Sequence, residues 1–141
     1  MSTHNLDQLS LLAAQATLNA GRAILEVYHN EDTQVEYKGD DSPLTQADTK
    51  GHLAIMELLE TTGIPVLSEE GKHLPFEQRK DWDTLWIVDP LDGTKEFIKR
   101  NGEFTVNIAL VEKGTPILGV VYVPVTGELY LGVGEYGALK I

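Results

Sequence analysis

The 141 residues contain no cysteine. That absence excludes a disulfide framework, a thiolate zinc site and a cysteine nucleophile. Basic residues are scarce, eleven against twenty-two acidic, for a formal charge of −11. Non-specific nucleic-acid binding requires Lys and Arg to displace phosphate counterions, so no nucleic-acid partner is expected. The same balance suits a chain that collects divalent cations. Long apolar runs are missing too, and no membrane-spanning segment is expected. The opening MSTHNLDQLS lacks the basic start and apolar stretch of a secretory signal, which points to the cytoplasm. What is present is 42% hydrophobic and 23% charged, over a length that can bury one core.

Leu6, Leu9, Ala13, Ala16, Ala20, Ile24 and Val27 recur at three- and four-residue spacing. They predict a helix from about Asn5 to His29, with Asn5 and Gln8 as a capping pair. Gly21 inside it marks either a close neighbour or a merely tolerated glycine. A second helix is expected after Thr45, running to about Glu60 and stopped by Gly63 and Pro65. A strand is possible at Gln34–Tyr37, Pro65–Leu67 is a brief extended run, and Gly71–Asp83 reads as a polar surface loop. Leu85–Val88 is a continuous apolar run, as in a strand buried on both faces. Thr105–Val111, Ile117–Val123 and Leu129–Val133, separated by Lys113-Gly114 and Thr126-Gly127, predict an antiparallel meander. Ala138–Ile141 reads as a further strand without a polar tail, as if the chain were cut there. The expected class is α+β, two helices packed on one face of a largely antiparallel sheet.

The chemistry concentrates in Trp86 to Phe97, WIVDPLDGTKEF. A buried strand delivers Asp89 to its end, Asp92 follows three positions on, and Gly93 and Thr94 precede a short helix. Two carboxylates and the Leu91 carbonyl can then face one small volume, the oxygen set that Mg²⁺ takes. The amides of Gly93 and Thr94 can face a phosphate. A plain turn would account for the Asp-Gly pair on conformational grounds alone, but two acids at the end of an apolar strand, followed by Gly-Thr, favour a site. An EF-hand loop needs acids at alternate positions and fails on spacing. Phosphoaspartate phosphatases carry their aspartates two apart, not three. Ser68-Glu69-Glu70 adds carboxylates after another short strand, and a cluster of this kind repels itself unless cations hold it. Thr45-Gln46-Ala47-Asp48 has the form of a capping box, and Asp48 serves either that cap or a threonine that orients water. The four histidines show no ligand spacing. Lys95, Lys99 and Arg100 form a basic patch, of which Lys95 adjoins the phosphate position.

Glu-Glu after a strand followed by Asp-Pro-Leu-Asp-Gly-Thr resembles the magnesium-dependent, lithium-sensitive phosphatases typified by inositol monophosphatase. Within them, Lys95-Glu96-Phe97 after the Asp-Gly-Thr, together with SPLTQAD and PVLSEE, is similar to the bacterial 3'(2'),5'-bisphosphate nucleotidases. The resemblance covers essentially the whole chain as the amino-terminal, metal-binding α+β domain of that fold. It implies two or more Mg²⁺ ions held by Glu69, Asp89, the Leu91 carbonyl and Asp92. Glu70 would act through water, while Asp48 and Thr94 orient the attacking water. Glu69, Leu91, Asp92, Gly93, Thr94 and Lys95 would contact the substrate. The implied reaction removes the 3'-phosphate of adenosine 3',5'-bisphosphate, leaving AMP, with the sulfated nucleotide as a second substrate. An inositol or sugar phosphatase and a non-catalytic metal-binding fragment are the alternatives. The family's second α/β half, with its Trp-Asp motif, has no counterpart after residue 92, where no tryptophan occurs. A sheet face without its cover is therefore expected, which leaves room for self-association. The resemblance also allows peripheral contact with the inner face of the membrane, although no basic amphipathic helix supports it.

Overall fold

The computed structural model describes residues 5–29, 42–68, 82–99, 101–134 and 137–141. Helix α1 spans Leu6–Tyr28, and Asn5 caps it by accepting from the amides of Asp7 and Gln8. Its buried stripe is the predicted one: Ala13, Ala16, Ala20 and Ile24 are wholly inaccessible. Three alanines there let α1 lie close to its neighbours, and it packs on the second helix and on the fourth strand. Gly21 is the close contact: a Cβ there would overlap the Tyr122 ring and crowd Pro124.

Helix α2 spans Pro43–Leu59, starting earlier than the expected point after Thr45. Ser42, not Thr45, is the N-cap, and its hydroxyl accepts from the Thr45 amide at 3.2 Å. Pro43 at the first helical position needs no amide partner, which favours the earlier start. A single 3₁₀ turn, Glu60–Thr62, follows and ends at Gly63 with φ 72°.

Six strands follow: β1 Val66–Ser68, β2 Thr84–Asp92, β3 Thr105–Glu112, β4 Thr115–Val123, β5 Glu128–Val133 and β6 Ala138–Lys140. A short helix, α3 Thr94–Lys99, stands between β2 and β3, a third helix beside the two main ones. The sheet order is β1-β2-β3-β4-β5-β6, with β1 parallel to β2 and every other pair antiparallel. The α+β class and the meander are as expected. Gln34–Tyr37 and nearly all of Gly71–Asp83 lie outside the described residues.

Helices α1 and α2 cover one face of the sheet, where Trp86, Val88, Val106, Ile108, Leu110 and Val120 are buried. Each buried side chain of this size contributes about 1.5–3 kcal/mol relative to exposure. The Trp86 indole donates to Thr62 Oγ1 at 3.2 Å, so its one polar atom is satisfied. Ile87, Val121 and Tyr130 point to the other face and are exposed. Beneath α3, Tyr28, Phe97 and Phe104 form an aromatic cluster with centroids 5.1–5.5 Å apart. Among the described residues no helix is long and apolar enough to cross a membrane.

Candidate active site

The end of β2 carries the acidic residues. Pairing with β3 runs regularly from Thr84↔Glu112 to Asp89↔Asn107, and the next pair is Asp92↔Thr105. Three steps on β2 therefore match two on β3, a β-bulge with one extra residue at Pro90–Leu91. In a regular strand, side chains three positions apart point to opposite faces. The extra residue corrects that parity. Asp89 and Asp92 share the face of Asn107 and Thr105, away from α1 and α2. Pro90 has no N–H to pair, so a bulge is where a strand tolerates it. Pro90 and Leu91 are both buried, which breaks the strand's alternation at that point.

Asp92 is exposed and Asp89 half-buried. Asn107 Nδ2 donates to Asp92 Oδ2 at 3.0 Å. The carboxylate is an acceptor only, so the amide nitrogen must face it. Asn107 Oδ1 is then turned away; it is buried and has no hydrogen-bond partner among the described residues.

Gly93 turns the chain from β2 into α3 with φ 93°. A Cβ there would sit 3.2 Å from the Phe104 backbone, so both the angle and the space require glycine. Its carbonyl accepts from the Phe97 amide at 3.0 Å, which closes the first turn of α3. Thr94 and Lys95 open that helix and are exposed. Lys99 is exposed at its end, and Arg100 lies outside the described residues.

Asp48 lies in the second turn of α2 and is half-buried. With Ser42 as the cap, Asp48 is not the closing residue of a capping box, and that explanation of it falls away. Helix α2 packs on β2 and touches α3. A Cβ on Gly51, three residues after Asp48, would lie 3.5 Å from Pro90 Cβ, so α2 crosses β2 at the bulge.

Strand β1, which precedes the third acidic motif in the chain, ends beside the same place. Ser68 pairs with Val88, and this parallel register ends one residue short of Asp89. His52 Nδ1 lies 3.0 Å from Ser68 Oγ, so α2 holds the end of β1. Glu69 and Glu70 come next in the chain and lie outside the described residues.

Among the described residues, no group of three or more His, Asp or Glu side chains converges to hold a metal. The donors present nonetheless fit a hard divalent cation. Asp89, Asp92 and the Leu91 carbonyl offer oxygen alone, on one bulged turn, and Asn107 holds one oxygen of Asp92 in place. Two residues here were not singled out from the sequence. Asn107, a polar residue inside TVNIALVE, was a visible signal. His52 offered none, because its partner comes from another element.

A model of the inositol monophosphatase family matches residues 5–140. The 3'(2'),5'-bisphosphate nucleotidase CysQ of Salmonella typhimurium is 57% identical over 120 residues, covering 82% of this chain and 48% of that protein. The protein of the same name from Escherichia coli is 54% identical over 128 residues, covering 89% of this chain and 50% of its own. Among solved structures, CysQ from Bacteroides thetaiotaomicron matches with a TM-score of 0.89 and 55% identity, over 95% of this chain and 49% of that one. An inositol monophosphatase from Anabaena matches with a TM-score of 0.79 at 28% identity, over 97% of this chain and 48% of that one. The chain spans about half the length of the relatives it matches. With the Asp-bearing bulge, the glycine turn and the meander in place, this chain belongs to the inositol monophosphatase family.

Proposed function

We propose that this chain is the amino-terminal, metal-binding part of a magnesium-dependent phosphatase. Its reaction is hydrolysis of adenosine 3',5'-bisphosphate by one water to AMP and inorganic phosphate. The observation that carries this reading is the bulge at Pro90–Leu91, which turns Asp89 and Asp92 to one face directly before the Gly93 turn. The nucleotide is favoured over an inositol phosphate by the relatives at 54–57% identity, which are named 3'(2'),5'-bisphosphate nucleotidases.

In this reading Glu69, Asp89, the Leu91 carbonyl and Asp92 hold Mg²⁺. Held there, the cation would supply neutralisation of phosphate charge and a lowered water pKa. A net charge of −11 would otherwise repel a phosphate dianion. Asp48, Thr94 and Glu70 orient the attacking water and accept its proton. Gly93, Thr94 and Lys95 hold the phosphate, the exposed Lys95 ammonium as a point charge.

A second reading rests on the donors alone: Asp89, Asp92 and the Leu91 carbonyl can bind the cation without turnover of substrate. Phosphate release from adenosine 3',5'-bisphosphate and from inositol 1-phosphate, with Mg²⁺ and then with a chelator, separates the cases. Magnesium-dependent release from the nucleotide, lost in Asp92→Asn, is the expected result. Faster release from the inositol ester overturns the substrate. Cation binding without release supports the second reading.

A further inference from the structure

We propose that Asn107 is the positioning residue of the Asp89–Asp92 pair: its amide fixes the Asp92 carboxylate for the cation, and the fold gains nothing from it. The inference rests on the metal-binding reading above.

Three observations carry it. Asn107 stands directly opposite Asp89 in the ladder and donates to Asp92 Oδ2 across the bulge, so one side chain adjoins both acids. The bulge that brings the two carboxylates to one face also sets like charges near each other, which is unfavourable without a counter-dipole. The Asn107 NH₂ group supplies such a dipole to Asp92. By holding Oδ2 it determines the rotation of the carboxylate and so the direction of its second oxygen.

The third observation is what the arrangement forgoes. Facing its NH₂ group to Asp92 leaves Oδ1 buried and, among the described residues, unpaired, which disfavours the folded chain. Leucine has nearly the same shape and would leave no orphaned atom. Asp92 is exposed, so water can replace the lost donor. A residue present for folding alone would not have this balance. Residues that hold a metal ligand from behind commonly govern affinity about 10- to 100-fold.

The test uses Mn²⁺ as the probe, with free ion counted by electron paramagnetic resonance and the melting midpoint followed by circular dichroism. Asn107→Leu is expected to melt at or above the parent midpoint and to bind Mn²⁺ about 10-fold or more weakly. Asn107→Gln keeps an amide donor and is expected to bind between the two. A Leu variant that melts well below the parent, or fails to fold, assigns Asn107 to the fold and overturns the proposal. So does a stable Leu variant with the parent's affinity. A parent chain that binds no Mn²⁺ overturns the metal-binding reading itself, and this inference with it.

Discussion

His52 on α2 and Ser68 at the end of β1 are joined by a hydrogen bond of 3.0 Å, which ties α2 to the strand that leads into Glu69-Glu70. Ser68 is 5% exposed, so its hydroxyl depends on protein partners rather than water. Removing the imidazole in His52→Ala is expected to destabilise the chain by about 1–2 kcal/mol. Urea unfolding of the two single variants and of His52→Ala/Ser68→Ala measures the pair directly. Their effects should fall short of additivity by about 1 kcal/mol, and full additivity would mean the bond contributes nothing.

Gly21→Ala sets two effects against each other. Alanine favours the helix by about 1 kcal/mol, but the new methyl would overlap the Tyr122 ring edge and press on Pro124. Overpacking of that kind costs about 1–3 kcal/mol, so a net loss is expected. Tyr122→Leu in the same chain removes the ring and should recover much of it. The melting midpoints of the single and double variants decide the matter.

Asp92→Asn should act in opposite directions with and without the cation. Without it, the change removes one of two like charges from an exposed position, and stability at pH 7 should be unchanged or slightly higher. With it, a saturating cation stabilises the parent by about 2.7 kcal/mol at a hundred times the dissociation constant. That gain should be lost in the variant. Thermal melts with Mg²⁺ and with a chelator give all four values.

Glu128 and Lys140 tie β5 to β6 at 2.8 Å, and the Tyr130 hydroxyl donates to the same carboxylate oxygen at 2.9 Å. The Lys140 hydrogen bond, then that of Tyr130, pulls the Glu128 carboxyl down from 4.5 to about 2. The same pairing raises the Lys140 ammonium. A depressed acid stabilises the folded state above its unfolded value and loses this as pH falls through the folded one. Docking of β6 should therefore be insensitive to pH near neutrality and weaken between 4.5 and 2. Both groups are exposed, so the effect is small and shrinks with added salt. Carboxyl carbon shifts of Glu128 report the midpoint, which Lys140→Met should move back toward 4.5.

Much of the fold was readable because its signals are local. The α1 stripe, the Asn5 cap, the glycine after α2 and the turns between the meander strands each depend on a few neighbouring residues. The start of α2 was misplaced because Ser42 and Thr45 are both good caps. Pro43, which cannot donate an amide, decides between them at the first helical position.

Local sequence is enough for the elements and for the kinds of chemical group at the site: carboxylates and a carbonyl on an Asp-Pro-Leu-Asp turn, with glycine after it. Periodicity and turn preference act within a few residues and need no partner. Which face those carboxylates share was decided only by the tertiary structure. Three residues of β2 had to be matched against two of β3 before Asp89 and Asp92 came to one side, and that count exists only in the pairing. The parallel addition of β1, the His52–Ser68 bond and the Asn107 amide on Asp92 have the same origin. Each joins residues at least fifteen positions apart, where local preference has no hold and packing chooses the partner.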